Sequence, residues 1–263
     1  MSIGENTFQY GSIDFSLYGF RILYIETEPN GRNVEANAKY ETTRAKSSRR
    51  FYITKREHEE PYEFEMEIVS EEPLDAEAKR YFVPLLFDAP NYRKLEIMEC
   101  DDNEYVNFYY NCILTDEQEL NYGGGCYGWR CTALCDAPYG WEPVQTAIYD
   151  TNESLLFNFK NTSDELAPTW AKFEILMKST IVSDTVTLQN VTDQRVFSFR
   201  GAVAGATVTI DEYGQIHSTA GGSFYENASG SPIRLLHGDN RISVSDNVAQ
   251  VKITYQNARR VGS

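Results

Sequence analysis

Residues 105–143 read YVNFYYNCILTDEQELNYGGGCYGWRCTALCDAPYGWEP. This stretch predicts two strands joined by a turn, and then an abrupt stop at residues 136–141 (DAPYGW). The chain before it is acidic and mixed in pattern, whereas the chain after it is rich in Thr, Ser and Val and is typical of β-structure. We therefore expect two domains, residues 1–142 and 143–263, that meet at this stretch. The sequence carries no recognised catalytic motif.

Composition favours a folded, β-rich protein that does not bind nucleic acid. Of the 263 residues 41% are hydrophobic and 13% are aromatic, and aromatic side chains pack well on pleated sheets. The net charge is −15, and an acidic surface repels phosphate. No run of about 18 apolar residues occurs, so we expect no membrane insertion. Residues 1–15 lack the pattern of a secretion signal.

The five cysteines lie in one window, residues 100–135. An odd number without a secretion signal predicts free thiols in a reducing compartment. The spacing of Cys126, Cys131 and Cys135 resembles part of a zinc site, but a matching second pair of ligands is missing. Cys131 and Cys135 would share one face of a strand, which suits small buried side chains. We expect no metal and no cofactor.

Residues 30–56 form a basic segment in an acidic domain. They hold eight basic and two acidic residues, whereas residues 1–145 as a whole carry a net charge of −13. The segment has few large apolar residues, so we expect an extended arm or a long hairpin. It is either a solvated loop or an arm that lies on an acidic surface of a neighbouring chain. The second hypothesis makes five residues candidate inter-subunit contacts: Arg32, Arg44, Lys46, Arg49 and Arg50.

Two further elements of the first domain have clear patterns. Residues 62–69 (YEFEMEIV) alternate apolar side chains with Glu63, Glu65 and Glu67, which predicts a strand with one buried and one acidic face. Residues 73–83 predict the only helix, with Leu74, Ala78, Tyr81, Phe82 and Leu85 as its packing stripe and Pro84 ending or distorting it.

Many short strands separated by turns predict an antiparallel β-sandwich in the second domain. The expected strands are residues 154–160, 170–178, 184–190, 194–200, 206–212, 214–218, 233–236, 240–245 and 248–256.

The order of these features resembles the distal tail proteins of long-tailed phages, which are baseplate hub components. Three motifs carry the resemblance: FQYG at residues 8–11 with Asp14, Phe15 and Gly19 after it, CDAPYGW at residues 135–141, and PIRLLHGDNRI at residues 232–242. The second motif departs from the family's Asp-Pro-Tyr by the inserted Ala137. The basic segment 30–56 has no residue-by-residue match in the family pattern.

The resemblance implies a ring-forming N-terminal β domain followed by a galectin-like β-sandwich. It implies a homo-hexamer ring at the tail tip of the virion, assembled in the host cytoplasm. The implied partners are the tail tube protein, the tail hub protein and a receptor-binding or side-fibre protein. Genome DNA would pass through the ring without specific binding, and an acidic lumen would allow that passage by repulsion.

Two other functions are considered. A β-sandwich could be a carbohydrate-binding module for attachment to the host surface, with Trp170 as the only Trp of the second domain. A single aromatic residue in an alternating strand is usually packing, so we expect Trp170 in the core. A glycosidase would need two carboxylates about 5–9.5 Å apart in a cleft, and no motif supports one, so we expect no enzyme.

Overall fold

The computed structural model describes residues 6–26, 38–43, 52–58, 61–98, 109–152, 154–221 and 228–259. The chain separates into two compact units, Met1–Trp141 with Arg259–Ser263, and Glu142–Ala258. Both are built almost entirely of antiparallel strands, and the described residues contain one α-helix. The prediction of a mainly β protein with one helix is confirmed.

The first unit is built on one seven-stranded sheet. Its strand order along the sheet is β2-β1-β7-β8-β9-β6-β3, so the longest strands lie in the middle. In chain order the strands of the unit are β1 Thr7–Tyr10, β2 Ile13–Asp14, β3 Phe20–Glu26, β4 Ala38–Thr43, β5 Tyr52–His58, β6 Glu63–Leu74, β7 Arg93–Met98, β8 Tyr110–Tyr122, β9 Gly125–Cys135 and β10 Gly140–Trp141.

Strand β6 shows the predicted alternation. Phe64, Met66 and Ile68 are at most 5% exposed and join the core, whereas Glu63 and Glu65 point to solvent. The same core takes aromatic side chains from β1 and β3 and covers Trp129 of β9. One face of the sheet is therefore apolar and carries the helix, and the other is polar.

A 3-10 helix, Phe15–Tyr18, separates β2 from β3. The Asp14 side chain accepts a hydrogen bond from the Ser16 N–H, and Gly19 ends the turn with a φ of 77°. Glycine tolerates this left-handed conformation because it has no Cβ. This 3-10 helix is not among the elements predicted from the sequence.

The α-helix, α1, runs over Ala76–Phe87. Asp75 caps it by accepting the Ala78 N–H at 2.7 Å. Pro84 does not end the helix, as one of the two predicted alternatives had it, because the helix continues for three residues beyond Pro84. Leu86 is fully buried there, and this burial offsets part of the roughly 3 kcal/mol that an interior proline costs.

The prediction that Tyr81 belongs to the packing stripe of this helix is wrong. Tyr81 is 56% exposed, while Phe82 beside it is buried. Adjacent helix residues point about 100° apart, so one of them can be buried while the other faces solvent.

Strands β4 and β5 form a two-stranded antiparallel hairpin of their own. Their register runs from Ala38 opposite His58 to Thr43 opposite Tyr52. In the part of the chain that the structure describes, neither strand pairs with the seven-stranded sheet. A hairpin within the basic segment is therefore confirmed for these backbone stretches.

The second unit is an antiparallel β-sandwich, as predicted. Its two five-stranded sheets have the orders β11-β20-β13-β16-β17 and β12-β19-β14-β15-β18. The strands are β11 Gln145–Asp150, β12 Leu156–Asn161, β13 Lys172–Met177, β14 Val186–Asn190, β15 Arg195–Phe199, β16 Thr207–Ile210, β17 Ile216–Ser218, β18 Ala228–Gly230, β19 Gly238–Val244 and β20 Val248–Tyr255. A final strand, β21 Ala258–Arg259, lies where the units divide.

The two sheets share one core, to which Phe173 and Ile175 contribute from one sheet and Leu188 and Phe197 from the other. Two strands were missed in the sequence, β11 and β18. The predicted strand at residues 233–236 is absent, and only Leu235 forms a single bridge there, to Thr169.

Candidate interaction surfaces

Metal-ligating side chains do not cluster among the described residues. No group of three or more His, Cys, Asp or Glu side chains among them is placed to hold a metal ion. The one described α-helix is too short to span a membrane. The features of interest in the described residues are a set of buried cysteines and several exposed surfaces.

The cysteines are buried and chemically quiet. Cys112, Cys126, Cys131 and Cys135 are free thiols, each at most 6% exposed, and Cys100 lies outside the described residues. Burial raises the pKa of the Cys131 and Cys135 thiols to about 12, and it raises the pKa of Cys112 further, with help from the nearby Cys135. The prediction that Cys131 and Cys135 are small buried side chains is confirmed.

An acidic face lies on the solvent side of the seven-stranded sheet. We define it by Glu63, Glu65 and Asp116. The register places Glu65 opposite Thr132 of β9, and Thr132 opposite Thr115 of β8. After Thr115 the strand bulges, and Asp116 takes a φ of 56°, a conformation that aspartate tolerates better than most residues.

The carboxylates of this face differ in their partners. Arg130 donates to Glu67 from Nε at 3.1 Å and from Nη2 at 2.5 Å, so this glutamate is neutralised. Glu65 and Asp116 line one shallow depression beside that pair, and no described residue forms an ion pair with Glu63 or Glu65. The face keeps a local excess of negative charge.

The five candidate contact residues of the basic arm, Arg32, Arg44, Lys46, Arg49 and Arg50, lie outside the described residues. Four of them fall in sequence between β4 and β5, the two strands of the separate hairpin. Their role in subunit contacts stays a prediction.

An exposed aromatic patch beside the helix was not foreseen. Tyr18 and Tyr81, which are 49% and 56% exposed, both meet the Phe82 ring edge-on at centroid distances of 5.3 and 5.0 Å. Leu17 next to them is 80% exposed. The sequence did not indicate this patch, because Tyr81 was predicted to be part of the buried stripe of the helix.

Trp170 lies at the surface of the second unit, so the expectation that it belongs to the core is wrong. It is 44% exposed, and the Arg195 guanidinium lies over its ring at 5.6 Å from the centroid. Trp170 precedes β13 and its outward position follows from Ala171, which takes the buried place next to it.

Two arginines converge on one carboxylate beside this tryptophan. Arg234 donates from Nε to Asp193 Oδ2 at 2.8 Å, and Arg195 Nε lies 3.6 Å from the same oxygen. The Asp193 side chain is only 7% exposed. We call Trp170, Asp193, Arg195 and Arg234 the Trp170 platform, and its net charge is +1.

Buried amides hold the platform in place. Asn190 donates through Nδ2 to the Arg234 carbonyl oxygen and to Asn240 Oδ1, both at 2.9 Å. Asn240 in turn accepts from the Leu236 N–H and donates to the carbonyl oxygens of Leu236 and Gly238. Both asparagines are 0% exposed. The loop that carries Arg234 is therefore held in place by hydrogen bonds to these two buried asparagines.

Comparisons with known proteins point to phage tails. Residues 4–137 match the family model described as a phage tail protein N-terminal domain, and residues 139–255 match the model described as a phage tail C-terminal domain. No curated protein matches the chain.

A solved structure of a phage protein shows the same fold. The crystal structure of the SPP1 Dit protein, described as a paradigm of the hub adsorption apparatus in phages that infect Gram-positive bacteria, is similar over 95% of this chain and 98% of that chain, with a TM-score of 0.69 and 13% identity. A chain of the phage P2 baseplate in its activated conformation with Ca is similar over 96% of this chain and 98% of that chain, with a TM-score of 0.49 and 10% identity.

Proposed function

The chain belongs to the phage tail protein family, and we propose that it is the structural subunit of a six-copy ring at the distal end of the tail. In this role it joins the tail tube protein to the hub protein and to a receptor-binding or side-fibre protein. The fold shared with the SPP1 Dit protein over almost the whole chain supports this position. The proposal includes no enzymatic activity.

The observation that carries the ring proposal is the unbalanced charge of the first unit. Residues 30–56 carry a net charge of +6. On the acidic face, Arg130 is the one described cation that lines the depression beside Glu65 and Asp116, and it already binds Glu67, so the face keeps an excess of negative charge. A closed ring needs two different patches on each subunit, because each interface joins one patch to another on the next copy. The basic arm and the acidic face are two such patches.

In the proposed ring, Arg32, Arg44, Lys46, Arg49 and Arg50 reach the acidic face of the neighbouring subunit. Contacts between opposite charges at a partly exposed interface guide association and weaken as salt rises. The hairpin of β4 and β5, which pairs with no strand of the seven-stranded sheet in the described backbone, supports a segment that serves another chain.

Charge reversal tests this contact. We expect the triple substitution Arg44→Glu, Arg49→Glu and Arg50→Glu to convert the ring to smaller species in mass photometry. We also expect the wild-type ring to dissociate as the salt concentration rises, at a lower concentration than a ring held by apolar contacts would. The matched control reverses Lys160, Arg200 and Arg241, three exposed cations of the second unit, to Glu. A hexamer that survives the first triple substitution as well as it survives the control would refute the arm contact.

A charge swap locates the acceptor. Glu63→Lys with Glu65→Lys should weaken the ring alone and should restore it when combined with the arm reversal. Loss of assembly without restoration would place the arm's acceptor elsewhere.

We further propose that residues 1–142 form the ring and that residues 143–263 form an outward, galectin-like sandwich. The two family models, which divide between residues 137 and 139, support this division. The proposed lumen is acidic and lets DNA pass by repulsion. Retention of double-stranded DNA by the assembled ring at about 0.15 M salt would contradict a repulsive lumen.

A further inference from the structure

The side chains of the Trp170 platform are of the kinds that form binding sites, and the proposed six-copy ring assigns no role to them. Trp170 is the one tryptophan of the second unit, and almost half of its surface is open to solvent. Small-molecule sites combine aromatic surface with a few placed polar groups. Here the polar groups are two guanidiniums: that of Arg195 lies 5.6 Å from the centre of the indole ring, and that of Arg234 is joined to it through Asp193.

The guanidinium groups of Arg195 and Arg234 have N–H donors that are not used within the platform. A guanidinium carries five N–H donors, and Arg234 gives one of them to Asp193. Arg195 gives one donor to the Pro232 carbonyl oxygen at 3.4 Å. The remaining N–H groups have no acceptor among the described residues, and Asp193 cancels only one of the two positive charges. A ligand for this surface must therefore bring acceptors and negative charge.

The flat apolar face of the Trp170 indole favours a ligand that also has a flat apolar surface. A pyranose ring presents C–H groups on its faces, which pack against an aromatic plane, while its substituents reach polar groups at the rim. Arginine recognises carboxylate and phosphate groups through paired N–H donors. A sugar ring that carries an acidic group satisfies both parts of the platform together.

We propose that the Trp170 platform binds an anionic saccharide, with the sugar ring on Trp170 and its carboxylate or phosphate on Arg195 and Arg234. A protein loop with acidic residues is the competing occupant. Protein interfaces bury about 800 Å² on each partner around an apolar centre. The indole of Trp170 instead contacts the Arg195 guanidinium, which in turn binds the Asp193 carboxylate and the Pro232 carbonyl oxygen. These surroundings favour the smaller ligand.

The test measures binding of three oligosaccharides of equal length to the full chain by calorimetry. One carries glucuronate, one carries sugar phosphodiesters and one is neutral. We expect at least one acidic saccharide to bind at about 1 mM or tighter and the neutral one about tenfold more weakly. Binding of the glucuronate alone identifies a carboxylate ligand, and binding of the phosphodiester alone identifies a phosphate ligand.

Variants tie the binding to the platform. Trp170→Ala and the pair Arg195→Ala with Arg234→Ala should each weaken binding about tenfold or more, and Trp170→Phe should retain most of it. Tyr213→Ala and Arg200→Ala, which remove an exposed aromatic ring and an exposed guanidinium elsewhere in the unit, should leave binding unchanged. If the double substitution Arg195→Ala with Arg234→Ala unfolds the second unit, the comparison of Trp170→Ala with Trp170→Phe still tests the proposal.

The proposal is overturned if neither acidic saccharide binds at about 10 mM, if the neutral saccharide binds equally well, or if Trp170→Ala binds like the wild type. A Trp170→Ala chain that loses a tail protein from a reconstituted tail tip, while no saccharide binds to the wild type, would assign the surface to a protein contact instead. The result does not depend on the ring, since a monomer carries the complete platform.

Discussion

Gly128 of β9 approaches the carbonyl oxygen of Ile68 in β6 so closely that a Cβ at residue 128 would lie 2.0 Å from that oxygen. The two strands are hydrogen-bonded neighbours inside the seven-stranded sheet, and Gly128 has a φ of 152°. The backbone of Ile68 cannot move away from residue 128 without breaking the pairing of β6 with β9. The site therefore requires glycine.

Gly128→Ala should lower the free energy of unfolding of the first unit by about 3 kcal/mol or more, because the methyl group forces two paired strands apart. Thermal unfolding followed by the fluorescence of buried Trp129 measures this loss. Gly124→Ala is the control, since Gly124 also has a positive φ but has open space around its Cβ position. It should cost only about 1–2 kcal/mol, and equal losses in the two variants would contradict the clash.

Asn240→Ala should destabilise the second unit by about 3 kcal/mol or more. The substitution leaves Asn190 Nδ2, the Leu236 N–H and two carbonyl oxygens without their buried partner. Asn158→Ala, on an exposed position of β12, should change the unfolding temperature little. Equal unfolding temperatures for the two variants would show that the buried amide network adds nothing.

Glu174 gives the second unit a pH dependence. The hydrogen bond from Lys252, followed by contacts with Lys172, lowers the pKa of Glu174 from its ordinary value of 4.5. A carboxyl group with a lowered pKa contributes stability above its ordinary pKa and loses it as the pH falls through the lowered value. The contribution is about 1 kcal/mol or less, since the pair is partly exposed.

Glu174→Gln should therefore unfold at a lower temperature than the wild type at pH 7 and at nearly the same temperature at pH 2. Glu212→Gln, in an exposed turn, should match the wild type at pH 7. A wild type and Glu174→Gln variant that differ equally at both pH values would rule out this ion pair as the cause.

The buried thiols should resist alkylation. With a pKa of about 12, Cys131 and Cys135 are thiolates in about one molecule in ten thousand at pH 8, and the thiolate is the reactive form. Iodoacetamide at pH 8 followed by peptide mass spectrometry should leave both unmodified in the folded chain and modify both in urea. Rapid labelling of either one in the folded chain would mean that β9 opens readily.

Much of this architecture follows from local patterns. The alternation in residues 62–69 gives β6 its faces because successive strand residues point to opposite sides. The stop at residues 136–141 marks the end of β9 because the segment contains a proline and two residues typical of turns. Short strands with regular turns identify the sandwich for the same reason.

Other features depend on contacts that no local pattern contains. Pro84 stays inside α1 because Leu86 is buried by distant strands, and Trp170 faces outward because Ala171 fills the core position beside it. The Trp170 platform joins residue 170 to residues 193–195 and 234, which only the folded sandwich brings together. The basic segment 30–56 is recognisable in the sequence by its charge alone, whereas the acidic face of Glu63, Glu65 and Asp116 depends on the register of β6, β8 and β9.

Electron microscopy of the purified chain tests the central claim most directly. The account predicts two-dimensional class averages of a ring with six-fold symmetry and a central channel, formed by the wild type and by the Lys160, Arg200 and Arg241 control, and lost on reversal of Arg44, Arg49 and Arg50. Class averages that show only single subunits, or a closed assembly with a different number of copies, would contradict the proposed ring.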